Sequence, residues 1–142
     1  MPLTDFRSIT RFRVPFCDID MLQHVNNVAY LVWAETARCV YFDEVLAEEL
    51  SGARGIILGK MEIRFERPLE YRERVAVGCR VSRMGTKSFD FVCEMWSDDS
   101  GLRSAVCTAT VVAYDYERKL SIPVPEAWRQ KISAHEIVAP LG

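Results

Sequence analysis

The alternation of apolar and polar residues along the chain predicts one strand, one long helix and then several strands. Residues 9–16 alternate, with Phe12, Val14 and Phe16 on one side, which is typical of a half-buried strand. From Val28 to Leu50, apolar residues recur at helical spacing and cover more than one stripe of the helix surface. A helix this apolar is expected to be surrounded by other elements.

Both ends of this helix carry recognisable signals. At the start, the side chain of Asn26 or Asn27 can accept a hydrogen bond from an otherwise unpaired backbone N–H. At the end, Ser51-Gly52 is a natural stop, because glycine adopts the left-handed conformation that ends helices. The sequence therefore predicts one helix that starts directly after a polar loop.

From residue 54 onward, apolar residues recur at every second position, which indicates strands. We predict strands over residues 60–66, 74–82 and 88–96, followed by a hairpin connection at residues 98–101. Residues 102–114 are almost continuously apolar, as in a strand covered on both faces. The short turns between these strands imply antiparallel pairing.

The order of these elements predicts an α+β fold. A curved antiparallel sheet wraps around one long central helix, and a short second helix begins at Pro125. The length of 142 residues predicts a single domain covering residues 1–142. An outer sheet face or edge in such a fold invites a second subunit.

Composition and charge exclude several classes of protein. The net charge is -2, and Lys and Arg are spread along the chain, so nucleic acid is not expected as a partner. The apolar stretches fall short of the roughly 18 residues that a membrane span needs. The N-terminus lacks the pattern of a signal peptide, which predicts a cytoplasmic protein. The chain has no CxxC or HExxH spacing, so no metal site is expected.

The cysteines predict thiols rather than disulfides. Their number is odd, their spacing is wide, and four of them fall within apolar patterns. We therefore expect reduced thiols, most of them buried. The five residues are Cys17, Cys39, Cys79, Cys93 and Cys107.

The candidate chemistry is concentrated in the polar loop before the long helix. Asp18, Asp20, His24, Asn26 and Asn27 lie within ten residues of one another. A solvated turn rarely needs so many different hydrogen-bonding groups. A site that holds a carboxylate, an imidazole and a helix N-terminus around one substrate atom does need them.

The motif Asp20-x-x-x-His24-Val25-Asn26-Asn27-x-x-Tyr30, together with the order of elements, resembles the hot-dog-fold thioesterases. The likeness is greatest to the 4-hydroxybenzoyl-CoA thioesterase and YbgC-type acyl-CoA group. It also extends to acyl-carrier-protein thioesterases of the same fold, although Leu22 stands where that branch carries Asn. The resemblance implies hydrolysis of an acyl-CoA or acyl-carrier-protein thioester without a cofactor.

The resemblance also implies roles for the loop residues. Asp20 is the expected catalytic carboxylate, which could attack the thioester carbonyl or activate water; the sequence leaves both open. The backbone N–H of Asn27 is the expected oxyanion donor. His24 could polarise the carbonyl, orient Asp20 or pass a proton to the leaving thiolate, and it could also be a hydrogen-bonded loop residue. Glu35, placed among apolar helix residues, is expected to need a partner and to support the loop or His24.

Substrate contacts follow from the same resemblance. Asn26 and Tyr30 are expected to cap the helix and line the pocket, and the aromatic residues Trp33, Phe65, Phe89 and Phe91 are expected to shape it. The pantetheine arm of CoA is expected at Thr86, Lys87 and Ser88, and its phosphates at Arg83, Lys87, Arg118 and Lys119. The family builds its site between subunits, which implies a homodimer or homotetramer.

Two other functions remain open from the sequence. An acyl-CoA hydratase or dehydratase of the same fold needs a His paired with an acid, which His24 with Asp20 or Glu35 provides. The Gly-rich entry to the helix that dehydratases carry is missing here. A binding module for acyl-CoA without catalysis is the second alternative, because a fold does not fix an activity.

Overall fold

The computed structural model describes residues 2–50 and 52–142, and within them the chain forms six strands and two α-helices. In chain order they are β1 (Ser8–Arg13), a turn of 3-10 helix (Phe16–Asp18), α1 (Asn27–Val45), β2 (Arg54–Phe65), β3 (Arg74–Met84), β4 (Ser88–Ser97), β5 (Arg103–Asp115), β6 (Leu120–Ser121) and α2 (Glu126–His135).

The strands form one antiparallel sheet in the order β1-β3-β4-β5-β2, and β6 pairs with the end of β5. Helix α1 contacts β1, β3 and β4, and its buried side chains, among them Tyr30, Trp33, Ala37 and Tyr41, join the inner face of the sheet in one core. The predicted α+β architecture, a curved sheet around one long helix, is confirmed.

The predicted end of the long helix was wrong by five residues. α1 ends at Val45, and residues 46–50 form turns in which the carbonyl of Leu46 accepts from two backbone N–H groups. Two acidic residues, Asp43 and Glu44, lie in the last turn, where the negative end of the helix dipole disfavours them. Of the predicted stop, Ser51 lies outside the described residues, and Gly52 has a φ of +67°.

The first strand also ends earlier than predicted. β1 stops at Arg13, because Pro15 has no N–H to donate to a ladder, and Phe16 lies in the 3-10 turn with 75% of its surface exposed. Val14 alone of the predicted inward positions is fully buried.

The strand covered on both faces is β3 rather than the predicted residues 102–114. On the outer face of β3, Leu3 and Phe6 pack against Ala76 and Gly78, and a Cβ on Gly78 would lie 2.7 Å from atoms of both. In β5, buried residues alternate with partly exposed ones, because no other element of the described chain covers its outer face.

The cysteines are free thiols. Cys79, Cys93 and Cys107 are buried at neighbouring positions of three adjacent strands, and Cys17 and Cys39 are exposed. The expectation of burial was wrong for Cys39, which lies on the outer side of α1. No helix of the described residues is long and apolar enough to cross a membrane.

Candidate active site

The loop before α1 folds into a tight turn. Asp20 and His24 lie at its two ends and are joined by a backbone hydrogen bond. The backbone N–H of Asp20 donates to the carbonyl of His24 at 3.2 Å, and that of Gln23 donates to the carbonyl of Asp20 at 3.0 Å. The Asp20 carboxylate accepts from the backbone N–H of Leu22 at 2.9 Å, which orients the side chain. Gln23 takes the left-handed conformation, with a φ of +64°.

Of the two predicted candidates for the N-cap of α1, Asn26 and Asn27, it is Asn26 that caps the helix. Its Oδ1 accepts from the backbone N–H of Ala29 at 2.9 Å, and its Nδ2 donates to the carbonyl of Asp18 at 3.0 Å. The N–H groups of Asn27 and Val28 have no acceptor within the described residues. These two N–H groups and the helix dipole make the start of α1 an anion-binding position.

Asp18 fixes the loop to the start of α1 through hydrogen bonds. Its carboxylate accepts from the indole Nε1–H of Trp33 at 3.0 Å, and its carbonyl accepts from both the backbone and the side chain of Asn26. The loop is thereby tied to α1 at two places. A carboxylate that already has a strong donor is occupied with holding the loop.

Asp20, His24 and Asn27 all line one cleft of about 310 Å³. Tyr30 and Phe65 form an aromatic wall with ring centroids 5.1 Å apart in an edge-to-face contact. The remaining lining residues are Leu22, Val25, Glu66, Arg67 and Pro68. The lining thus combines the polar residues Asp20, His24 and Asn27 with the aromatic rings of Tyr30 and Phe65.

Tyr30 lies at the base of this wall and is only 3% exposed. Burial raises the pKa of its hydroxyl, and a hydrogen bond to the backbone of Leu69 offsets part of that rise. The hydroxyl is therefore neutral at ordinary pH. Tyr30 therefore contributes the apolar surface of its ring to the cleft and no negative charge.

Glu66 and Arg67 line the cleft, although no pattern in the sequence marks them as site residues. Two hydrogen bonds from Arg103 hold Glu66, at 2.7 and 3.1 Å, and they lower the pKa of its carboxyl. Both residues follow the last residue of β2, where the alternating pattern breaks down at Pro68. Only the path of β2 across the sheet brings this strand end to the start of α1.

Other predicted site residues lie elsewhere in the protomer. Glu35 is exposed on α1 and does not line the cleft, because helical geometry turns it away from the buried Trp33, Ala34 and Ala37. The expectation that Glu35 needs a buried partner was therefore wrong. Phe89 and Phe91 are buried in the core and shape no cleft wall, and Trp33 lines a different groove.

The predicted CoA contacts form a separate region. Arg83, Thr86, Lys87 and Ser88 surround the turn between β3 and β4 and line a depression of about 730 Å³ together with Arg129. Arg129 is fixed there, because its guanidinium donates to the carbonyls of Gly85 and Thr86. Arg118 and Lys119 lie exposed in the turn between β5 and β6 and line neither cavity.

The model of the thioesterase-like superfamily matches residues 14–132. Among solved structures, a thioesterase from Thermus thermophilus in complex with coenzyme A and Zn is 30% identical, with 94% of this chain and 96% of that chain covered and a TM-score of 0.82. Among the described residues of this chain, no cluster of three or more His, Cys, Asp or Glu is placed to hold a metal ion.

Two further structures share the fold at lower identity. A probable thioesterase from Escherichia coli is 20% identical, with 88% of this chain and 96% of that chain covered and a TM-score of 0.78. A hypothetical protein from Staphylococcus aureus in complex with CoA is 13% identical, with 90% and 82% covered and a TM-score of 0.82. No curated protein matches this sequence.

These likenesses confirm the hot-dog fold, whereas membership of the 4-hydroxybenzoyl-CoA or YbgC-type subgroup stays a prediction. Since the family model covers most of the chain and a thioesterase 30% identical to it aligns over 94% of its length, the chain belongs to the thioesterase-like superfamily.

Proposed function

We propose that this chain hydrolyses an acyl-CoA thioester to the free acid and CoA thiol, with Asp20 as the reacting carboxylate. The observation that carries the proposal is that Asp20 and Asn27, whose backbone N–H is unpaired in the described residues, line the same cleft as the aromatic rings of Tyr30 and Phe65. Membership of the thioesterase-like superfamily supports the reaction class. The 30% identical thioesterase bound to coenzyme A supports CoA as the carrier.

The chemistry follows from this geometry. A thioester carbonyl placed in the cleft would direct its oxygen at the N–H groups of Asn27 and Val28, which stabilise the negative charge of the tetrahedral intermediate. Asp20 either adds to the carbonyl carbon, giving a mixed anhydride that water then cleaves, or takes a proton from an attacking water. In both routes the C–S bond breaks, and the thiolate leaves and takes up a proton.

His24 is the group available to move that proton. It lines the same cleft as Asp20, and it is partly exposed to solvent. Glu35 has no contact with the cleft of its own protomer, so the proposal assigns it no step. Tyr30 and Phe65 bind the acyl group by apolar contact.

We also propose that two copies of the chain complete the site. β2 is an edge strand of 12 residues, and Ile57, Leu58 and Phe65 on it are exposed apolar side chains. An edge this long and apolar favours pairing with a second copy. Pairing there would cover the side of the cleft formed by Phe65. The basic residues Arg83 and Lys87 of one copy would then bind CoA phosphates for the cleft of the other.

The test is the variant Asp20→Asn, assayed for free thiol with acyl-CoAs of different chain length and aromaticity. Asn keeps a side-chain oxygen for the N–H of Leu22, so the loop should retain its conformation. We expect turnover to fall by about a thousandfold or more, which is typical when a nucleophile or base is removed. CoA binding should change little.

Two outcomes would redirect the proposal. Undiminished turnover in Asp20→Asn would show that another group performs the chemistry. An enoyl-CoA that gains water while saturated esters release no thiol would indicate a hydratase. The variant Asp5→Asn is a suitable control, because Asp5 is exposed and lies outside the cleft.

A further inference from the structure

A second cavity, of about 490 Å³, lies beside the loop that precedes α1. Phe16, Ile19 and Tyr71 give it apolar surface, and the ring centroids of Phe16 and Tyr71 are 5.9 Å apart in an edge-to-face contact. The other lining residues are Leu22, Gln23, His24 and Glu70. The volume falls within the range of small-molecule pockets. We refer to this cavity as the aromatic groove.

The aromatic groove adjoins the cleft that Asp20 lines, because Leu22 and His24 line both cavities. Leu22 is 76% exposed, and its backbone N–H donates to the carboxylate of Asp20 at 2.9 Å. The two cavities therefore meet close to the proposed reacting group. A ligand that begins in the cleft and is too long for it would pass Leu22 and enter the aromatic groove.

The rings of the aromatic groove are fixed by contacts within the chain. Two contacts hold the ring of Tyr71: the edge of Phe16, and the guanidinium of Arg72, which lies 5.0 Å from the ring centroid. Phe16 is nevertheless 75% exposed and Tyr71 47%. Exposed aromatic residues grouped beside a cleft are typical of a surface that binds an apolar ligand or partner.

The charges of the lining residues narrow the class of ligand. The titratable residues that line the aromatic groove are His24 and Glu70; no Lys or Arg of the described residues lines it, since Arg72 contacts Tyr71 from outside the lining. A phosphate or carboxylate would therefore meet the negative charge of Glu70 without a permanent cation in the lining to offset it. An uncharged hydrocarbon chain fits this groove better than an anionic group does.

We propose that the aromatic groove binds the distal part of a linear, uncharged acyl chain whose thioester end lies in the cleft with Asp20. This assignment rests on the proposed function, and it makes medium- and long-chain aliphatic acyl-CoAs the substrate class. The first carbons of the chain lie in the cleft, and the carbons beyond Leu22 lie against Phe16 and Tyr71. Each methylene buried there should raise kcat/KM by up to about fourfold.

The experiment is a free-thiol assay of the full chain with saturated acyl-CoAs from butyryl to dodecanoyl, each below its micellar concentration. The measured quantity is kcat/KM for dodecanoyl-CoA divided by kcat/KM for butyryl-CoA. Phe16→Ala should lower this ratio by about threefold to tenfold, and Phe16→Ala combined with Tyr71→Ala should lower it further. Because the side chain of Phe16 is exposed, its removal should leave the fold intact.

Met21→Ala is the matched control on the same loop. Met21 is 95% exposed and lines neither cavity, so its removal should not change the ratio. If Met21→Ala and Phe16→Ala lowered the ratio equally, the effect would come from the loop as a whole, and the groove assignment would be overturned.

A truncated thiol arm distinguishes the acyl chain from the pantetheine arm of CoA as the occupant. Esters of N-acetylcysteamine keep the acyl chain and lack most of CoA. With these esters, Phe16→Ala should lower the dodecanoyl-to-butyryl ratio by the same factor as with CoA esters. If the variant instead slowed all CoA esters alike and no N-acetylcysteamine ester, the thiol arm would occupy the groove, and the assignment would be wrong.

The molecular mass in solution tests a second copy of the chain as the occupant. Light scattering should give the same mass for Phe16→Ala as for the unchanged chain. A smaller mass for the variant would show that a second copy covers the groove, which would overturn the assignment.

Thioether analogues separate this inference from the proposed function. S-dodecyl-CoA and S-butyl-CoA have no ester to hydrolyse, so calorimetry measures their binding whether or not the chain is a thioesterase. We expect S-dodecyl-CoA to bind more tightly by about threefold or more, and Phe16→Ala to reduce that preference. A preference that the variant leaves unchanged would overturn the groove assignment alone. A reduced preference, without thiol release from any ester, would overturn the proposed function and leave the groove assignment standing.

Discussion

Replacement of Asn27 by proline would remove one backbone N–H from the start of α1 and leave the helix in place. Asn27 is the first helical residue, where proline is well tolerated because its fixed φ suits the helix and no hydrogen bond is lost. The preceding residue, Asn26, has a φ of -71° and a ψ of 155°, the extended conformation that a following proline requires. The side chain of Asn27 is exposed, so little packing changes.

The size of the effect follows from the role proposed for this N–H. Loss of one oxyanion donor costs about 3 kcal/mol of transition-state stabilisation, or roughly a hundredfold to a thousandfold in kcat. The free energy of unfolding should change by less than about 0.5 kcal/mol, as is usual for exposed positions. Activity and stability should therefore separate clearly. Free-thiol release with a saturated acyl-CoA measures the first, and urea unfolding measures the second.

Asn27→Ala is the matched control, because it removes the same side chain and keeps the backbone N–H. We expect Asn27→Ala to retain kcat within about threefold, consistent with a side chain that only faces the cleft. If the proline variant turned over substrate as fast as the alanine variant, the N–H of Asn27 would not bind the oxyanion. The assignment would then pass to Val28 or to another donor.

Three further predictions concern the core. Gly78→Ala should lower the free energy of unfolding by about 1–3 kcal/mol in urea, since its Cβ would lie 2.7 Å from Phe6 and force the N-terminal segment outward. Tyr41→Phe should cost about 1–3 kcal/mol in the same assay, because it removes the 2.6 Å hydrogen bond to the buried Glu136; an unchanged midpoint would contradict this. Burial raises the pKa of Cys107 from 9.0 to about 11, so the folded state keeps a proton that the unfolded state loses, and stability should fall as pH rises from 9 to 11. Cys107→Ala should show a shallower loss across that range.

The candidate site divides into a part that was predictable and a part that was not. Asp20, His24 and Asn27 are close in sequence, so one loop and one helix start bring them together whatever the rest of the chain does. Glu66 and Arg67 come from a strand end about forty residues away, and no local pattern marks them. For Glu35 the local pattern was misleading. Its apolar neighbours in sequence suggested a buried carboxylate, but the side chain lies on the exposed side of α1.

The sequence by itself determined the elements of this protein, because periodicity, capping and turn residues act over a few neighbouring positions. It predicted one long helix preceded by a polar loop, a run of antiparallel strands, and Asn26 as a possible cap. These features depend on local hydrogen bonds and local packing. They can therefore be predicted from the sequence without knowing which other segments each element packs against.

Only the tertiary structure decided which surfaces are covered and which side chains share a cavity. The N-terminal segment covers β3 and leaves the outer face of β5 open, and the path of β2 brings Glu66 and Arg67 into the cleft that Asp20 and His24 line. The physical reason is that burial and cavity shape arise from contacts between residues distant in sequence. The order of strands in the sheet sets those contacts, and no short stretch of sequence encodes that order.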